Sequence, residues 1–202
     1  MVRLIPVLER SFADCPFWPA EGDGFHLVVP RRPSSGQVGA LVWALVTWAA
    51  TDDDGEVVAG DAAEAVARCL AVEGEDDFAA GGLRVVAGDL VLDPGCCVGL
   101  DEWRGWLEVA AGGQADLGHD PAVWVEHRGQ VVHLSWCHDD DRPTGVGLDV
   151  PRADLRALLG EVRADLLGFL AALDPWARRA VPGLADRLVA HVDRRLAIGA
   201  PL

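Results

Sequence analysis

The residues with the most reactive side chains are concentrated between positions 93 and 141. This stretch holds three of the five cysteines, four of the six histidines and four of the eight tryptophans. Thiolate sulfur and imidazole nitrogen are ligands that zinc prefers, usually in a tetrahedral set. The sequence therefore indicates a possible zinc site drawn from one group of residues: Cys96, Cys97, Cys137, His138 and His119.

Cys96 and Cys97 are adjacent, which differs from the common CxxC spacing of metal sites. Neighbouring side chains of an extended chain point to opposite sides, so both sulfurs can reach one metal only from a turn. Pro94 and Gly95 before the pair, and Gly99 after it, make such a turn possible. The alternative is that these cysteines are small apolar residues of the core.

The same region allows thiol chemistry. Cys96 or Cys97 could pair with His119, with Asp120 or another acid orienting the imidazole, because such a couple needs contact in space rather than proximity in sequence. No recognisable nucleophile motif surrounds either cysteine. A small thiol- or metal-dependent enzyme is therefore kept as the alternative function, and the sequence as a whole leans away from catalysis.

The charge of the chain favours a different class of function. The 202 residues include 32 acidic side chains against 17 basic ones, for a formal net charge of −15. Binding to nucleic acid or to an anionic membrane needs a basic face, whereas an acidic protein associates faster with a basic partner. We therefore expect a non-enzymatic, acidic protein-binding module that recognises a basic protein, as an immunity-type protein would.

Two acidic turns and one tryptophan are the expected contacts with that partner. The runs at 52–54 and 139–141 are each Asp-Asp-Asp, and the segment CPFWPAEGDG has no periodicity that would bury its tryptophan. Tryptophan is also enriched at interface hot spots. The residues assigned to partner binding are Trp18, Asp52, Asp53, Asp139 and Asp140.

The pattern of apolar residues predicts an α+β fold, in which an antiparallel or mixed sheet is covered by helices and a long helical pair ends the chain. Apolar residues recur at three- and four-residue steps over 152–173, which is typical of an amphipathic helix. A turn is expected at Asp174-Pro175, and a further break at Pro182-Gly183. Helices are also predicted at 61–73, with Asp61 as a candidate N-cap, at 101–110, with Asp101 as a candidate cap, and at 184–196. Strands are predicted at 25–29, 123–127, 131–136 and 146–150, and the segment 83–92 is predicted to be one bent strand or a hairpin around Gly88-Asp89.

The apolar run at 41–49 is ambiguous by periodicity alone. The Asp-Asp-Gly that follows it is a hairpin signal, so the run is predicted to be a strand. With that assignment, the segments around Trp48 and Trp136 share the order strand, acidic turn, strand, helix. We expect a single domain over 1–202, with the alternative of two pseudo-repeated hairpin-helix halves (about 1–92 and 93–173) plus a C-terminal helix at 174–198.

Three segments between Pro94 and about Trp176 carry a resemblance to small actinobacterial proteins without an assigned activity. They are GCCVGLDEWRGWL, LGHDPAVWVE and PRADLRALLGEVRADLLGFL. The segment LDEWRGWLEVAAGG also resembles the helix-plus-Gly-Gly element of SMI1/KNR4-type immunity proteins. That resemblance implies a non-catalytic α+β protein that binds a basic toxin or another protein.

The chain is expected to be cytoplasmic. Its first residues contain an apolar run of only five, Leu4 to Leu8, which is too short for a secretory signal, and no run is long enough to span a membrane. An odd number of cysteines fits a reducing compartment. The absence of lysine, asparagine and tyrosine resembles the bias of a GC-rich genome and favours an actinobacterial source.

Overall fold

A computed structural model describes residues 1–72, 78–119, 122–138 and 142–202, with the side chains of 122, 137–138 and 142–146 outside that description. Over these ranges the chain forms five α-helices, one 3-10 helix and seven strands. All strand pairs are antiparallel, and helices pack against both sheets. The predicted α+β class, with a long helix near the C-terminus, is confirmed.

The first sheet has four strands in the order β2-β1-β3-β4. Its strands are β1 (Val2–Glu9), β2 (His26–Val28), β3 (Gly81–Ala87) and β4 (Leu90–Leu92). The segment predicted at 83–92 is a hairpin that turns at Gly88, where φ is 62°. The strand predicted at 25–29 is confirmed as the edge strand β2.

The second sheet has three strands in the order β5-β6-β7, as the sequence predicts for this region. Its strands are β5 (Ala122–Arg128), β6 (Val131–His138) and β7 (Arg142–Pro151). The inner face buries valine and leucine side chains such as Val125, Val132 and Leu134. The alternation of buried and exposed residues along β5 explains why this hairpin could be predicted from period-two patterning.

The apolar run at 41–49 is helical, so the strand predicted there is wrong. It forms most of α1 (Ser35–Ala50), which begins at a capping box. The Ser34 hydroxyl accepts from the Gln37 backbone N–H, and the Gln37 side chain accepts from the Ser34 N–H. Eleven of the sixteen residues are buried, so the helix shows no apolar stripe, and the Ser-x-x-Gln signature is the local signal of its start.

The next two predicted helical segments are present, although the first ends at Cys69 and not at residue 73. Helix α2 (Ala62–Cys69) begins at Asp61, whose carboxylate accepts from the Glu64 backbone N–H at 2.8 Å. The segment predicted at 101–110 is a 3-10 helix (Leu100–Gly105) that continues as α3 (Trp106–Ala111). Asp101 does not cap it, because its carboxylate accepts instead from the Ala79 backbone N–H.

The long helix α4 (Arg152–Ala180) passes through Pro175 without ending, so the turn predicted at Asp174-Pro175 is wrong. Proline costs a helix one backbone hydrogen bond. Here Leu173, Trp176 and Ala177 are all buried on either side of it, and their packing keeps the chain helical. The break at Pro182-Gly183 is confirmed, and α5 (Ala185–Arg195) follows it.

Helix α4 contacts the main elements of the core, among them β1, α1, α3, α5 and β7. The apolar stripe predicted for 152–173 supplies six of its buried residues: Leu155, Leu159, Val162, Leu166, Phe169 and Leu173. Each is fully buried, which confirms the face that the periodicity assigned to the core.

The proposed internal repeat is not supported by the element order. Trp48 lies in α1 and Trp136 in β6, so the two residues occupy unrelated elements. The first segment reads helix, turn, helix, whereas the second reads strand, strand, helix. Across the described ranges, no helix is both long and apolar enough to cross a lipid bilayer.

Candidate functional site

An open groove of about 550 Å³ lies between the end of β1 and the C-terminal half of α1. Residues 9–13 form one wall, and the opposite wall is the helical face of Ala44, Thr47, Trp48 and Thr51. These positions lie three or four residues apart, so they project from one side of the helix. On the floor, the Ser11 and Thr47 hydroxyls are hydrogen-bonded at 2.8 Å.

Two large aromatic side chains stand exposed at this groove. Phe12 is 96% exposed and Trp48 is 69% exposed, which makes them the most exposed aromatic residues of the described chain. An exposed tryptophan beside a concave surface is the kind of residue that anchors protein interfaces. The prediction did not single out either residue, because assigning 41–49 to a strand hid the helical face that carries Trp48.

The acidic turn at 52–54 closes one end of the groove. The Asp52 carboxylate accepts from the backbone N–H groups of Asp54 and Glu56, at 3.1 and 2.9 Å, which stabilises the turn. Thr51 and Val57 pair across its base. Asp52, Asp53 and Asp54 are all exposed, so their carboxylates border the groove in a defined position.

The groove has a strongly negative lining. Four acidic residues contribute to it (Glu9, Asp52, Asp53 and Asp54) against one basic residue, Arg10. The Arg10 guanidinium donates to the Gly22 carbonyl at 2.9 Å. Burial raises the pKa of Glu9 above its usual range. Three of the four carboxylates belong to the turn at 52–54, so this turn supplies most of the negative charge that a ligand in the groove would meet.

Trp18 is not an exposed anchor, and that prediction is wrong. Its side chain is 9% exposed, and its indole N–H donates to the Gly39 carbonyl at 2.9 Å. The ring packs edge-on against Trp43 and Trp176. Trp18 is thus buried within a mostly exposed segment, because the groups that cover its ring come from α1 and α4, far away in sequence.

The four aspartates predicted to contact a partner belong to two separate acidic turns. Asp52 and Asp53 lie at the groove, next to the exposed aromatic residues. Asp139 and Asp140 lie outside the described residues. Partner contact by any of these four aspartates remains a prediction.

A second cluster brings together three of the five residues in the predicted metal set. The ligand atoms of Cys96, Cys97 and His119 all lie within 4.8 Å of one another, and all three residues are exposed. Cys96 and His119 pair as a two-residue antiparallel bridge, with backbone hydrogen bonds of 2.6 and 3.1 Å. The core-packing alternative for Cys96 and Cys97 is therefore wrong, and this group has the donors to hold a metal.

The backbone around the pair explains how adjacent side chains reach the same side. Cys97 has a φ of 67°, a left-handed conformation that few residues other than glycine adopt, and this forms the expected turn. Gly95 lets the two segments meet, because a Cβ there would lie 2.5 Å from the His119 backbone nitrogen. The side chains of Cys137 and His138, and the whole of Asp120, lie outside the described residues.

Comparison with known proteins adds no assignment. No family model, curated protein or solved structure matches the chain.

Proposed function

We propose that this protein is a non-enzymatic binding module whose groove between β1 and α1 receives a basic segment of a protein partner. The observation that carries the proposal is the position of Trp48, 69% exposed, in one groove with Asp52, Asp53 and Asp54. An exposed indole gives a partner a large apolar contact and a face that attracts cations. Neighbouring carboxylates would steer and pair with arginine or lysine side chains.

Charge complementarity selects the occupant. The groove lining has four acidic residues and one basic residue, and the chain as a whole carries −15. An acidic segment would be repelled, and a purely apolar one would leave the carboxylates without counter-charges. The proposed partner is therefore a basic protein, and an immunity-type role, in which the partner is a toxin, is one form of this function.

The test measures binding of the partner itself. The tagged chain would be used to recover proteins from its host at low salt, and the recovered protein would be purified for kinetics. We expect a basic protein whose association rate falls about tenfold when Asp52→Asn and Asp53→Asn are combined, with a weaker salt dependence. Trp48→Ala should speed dissociation by about 30-fold, the effect of a hot spot worth about 2 kcal/mol.

Matched control variants distinguish a specific role of the groove from a general effect of net charge or of exposed apolar surface. Asp23→Asn combined with Asp89→Asn removes the same charge from exposed positions outside the groove, and Trp124→Ala removes another exposed indole. Both controls should bind like the wild type. Equal losses in the control variants, unchanged binding by Trp48→Ala, or an acidic partner would each reject the groove as the interface.

A second candidate function rests on the Cys96, Cys97 and His119 group. Two thiols and an imidazole are a donor set that zinc accepts, and the ligands of a tetrahedral zinc ion lie about 3–4 Å apart. The three ligand atoms are within 4.8 Å, so modest side-chain rotations would bring them to one ion. With only the three described ligands, one position of a tetrahedral zinc ion would stay open, as in catalytic zinc sites, which is the arrangement that a small metal-dependent enzyme needs.

Cobalt substitution tests this candidate directly. Co(II) bound by thiolates absorbs in the near ultraviolet and visible, so a titration should reach its endpoint at one equivalent per chain. Cys97→Ser and His119→Ala should each abolish that endpoint, whereas Cys15→Ser and His133→Gln should retain it. An unchanged spectrum in the first pair, or no thiolate absorption in the wild type, would remove the metal site.

A further inference from the structure

The two sulfur atoms of Cys96 and Cys97 are unusually close. They lie 2.7 Å apart, and both side chains are exposed. Non-bonded carbon atoms, which are smaller than sulfur, are most stable at about 3.5–4.0 Å, whereas a disulfide bond is about 2.04 Å long. The turn therefore holds both sulfurs on one side, where a small rotation would bring them to bonding distance.

A bond between adjacent cysteines would be easily reduced. Consecutive Cα atoms are about 3.8 Å apart across a trans peptide, whereas the cysteines of ordinary disulfides have Cα atoms about 4.4–6.8 Å apart. Closing the ring at residues 96–97 therefore strains it, and strained, exposed disulfides are the labile ones. Such a bond would form and break in response to small thiols instead of stapling the fold.

We propose that Cys96 and Cys97 are an oxidation site, where a small-molecule disulfide of the glutathione class converts the two thiols into a disulfide between neighbouring residues. One cysteine thiolate attacks a sulfur of the small disulfide, which forms a mixed disulfide and releases one small thiolate. The second cysteine thiolate attacks the protein sulfur of the mixed disulfide and releases the other. The protein loses two electrons and two protons, and the reagent becomes two thiols.

The surroundings of the other described cysteines make this site selective. Cys69 is 3% exposed, so a reagent cannot reach it without opening of the fold. Cys15 is half-buried, and burial raises the pKa of its thiol, which leaves less of the reactive thiolate at neutral pH. The inference is independent of the acidic groove, and it does not require that the pair binds a metal.

Peptide mapping of the folded protein tests the proposal. The reduced, metal-free protein would be equilibrated with mixtures of oxidised and reduced glutathione, blocked with an alkylating agent and digested with trypsin. Because the chain has no lysine, cleavage after arginine yields a peptide 85–104 with Cys96 and Cys97 as its only cysteines. We expect this peptide to become unreactive to alkylation and to be lighter than the reduced, unalkylated peptide by the mass of two hydrogen atoms. Dithiothreitol should reverse the change.

The peptide 11–31, which carries Cys15, should remain alkylated under the same conditions. In the Cys97→Ser variant, Cys96 should stop at a mixed disulfide with one glutathione, whereas Cys15→Ser should close the ring as the wild type does. A peptide 85–104 that stays doubly alkylated, carries two glutathiones, or becomes linked to Cys137 or to a second chain would overturn the proposal. So would ring formation that is equally favourable in the unfolded chain, since the proposal assigns the pairing to the folded turn.

Discussion

The indole of Trp18 packs edge-on against the indole of Trp176, with ring centroids 5.2 Å apart and planes at 88°. Trp18 belongs to the irregular connection between β1 and β2, whereas Trp176 lies near the end of α4. The Trp18 indole N–H also donates to the Gly39 carbonyl of α1. One side chain thus joins a loop to two helices, and this loop continues into residues 9–13, which form a wall of the acidic groove.

This relationship predicts opposite roles for Trp18 and Trp48. Trp18→Ala should lower the free energy of unfolding by about 3–5 kcal/mol, because it removes a large buried ring and leaves a cavity. Trp48→Ala should change it by less than about 0.5 kcal/mol, since that ring is already exposed. Urea denaturation followed by circular dichroism measures both. Comparable losses from the two variants would show that Trp48 is a packing residue, which would weaken its assignment to an interface.

The close approach of Gly81 to β1 predicts an effect of backbone geometry next to Ala80, which lines the groove. Its φ is 140°, and a Cβ there would lie 2.2 Å from the Val7 carbonyl oxygen. Gly81→Ala must therefore push β3 away from β1, and we expect a loss of about 3 kcal/mol or more in unfolding free energy. Gly160→Ala is the matched control, because the site is helical and open, and it should stabilise by about 0.5–1 kcal/mol. Equal effects from the two substitutions would contradict the described contact between β1 and β3.

The burial of His26 predicts that the free energy of unfolding falls in weakly acidic solution. Its side chain is 10% exposed, and its Nδ1 lies 3.4 Å from an Asp93 carboxylate oxygen. Burial lowers the pKa of His26 below 6.5; Asp93 opposes this lowering in part, and Arg84 adds to it. The unfolded chain therefore takes up the proton more readily, so this contribution to stability is complete above about pH 6.5 and is lost as the pH falls through the folded-state pKa.

Urea titrations from about pH 7.5 to about pH 5 measure that contribution. His26→Gln cannot take up the proton, and its unfolding free energy should decline less over this window than that of the wild type. His133→Gln removes a histidine from the second sheet and serves as the control. A His26→Gln profile parallel to the wild type would show that the decline comes from other groups.

The hydrogen bonds of Arg163 are expected to restrain the segment 197–201. Its guanidinium donates to the carbonyls of Ile198 and Gly199, each at 3.1 Å. The Arg104 side chain also donates to this segment, at the carbonyls of Ala197 and Pro201. Arg163→Met keeps the aliphatic stem but loses these charged hydrogen bonds, so we expect a loss of about 1.5–3 kcal/mol in unfolding free energy.

Trimming by carboxypeptidase gives a second readout of the same contact. The Arg163→Met variant should lose residues from its C-terminus faster than the wild type, because the segment 197–201 is released more often. Arg179→Met alters an exposed arginine of the same helix and should leave the rate unchanged. Trimming rates that are equal in all three proteins would show that these hydrogen bonds do not restrain the C-terminal segment.

Several elements were predictable because their signals are local. The stripe from Leu155 to Leu173, the Asp61 cap and the turn at Gly88 each depend on residues within a few positions of one another. The prediction failed at 41–49 because a helix that is buried on most of its surface has no stripe to detect. It failed at Pro175 because packing of distant side chains outweighs the local cost of proline in a helix.

The candidate sites were likewise predictable only in part. That Cys96, Cys97 and His119 form one cluster was predictable only as a possibility, since His119 reaches the cysteines through a bridge that spans more than twenty residues. The groove was even harder to predict from the sequence. Asp52 and Asp53 are conspicuous in the sequence, but the exposure of Trp48 follows from how α1 packs against β1 and α4.

The sequence by itself determined the net charge of −15, the α+β class, the hairpin of 123–136 and the long amphipathic helix, because composition and short-range periodicity encode these properties. Tertiary structure alone decided that Trp18 is covered and Trp48 exposed, and that two adjacent sulfurs share one side of a turn with His119. Burial and ligand geometry depend on which distant segments meet. Contacts between distant segments are determined by the packing of the whole chain, and no local sequence pattern specifies them.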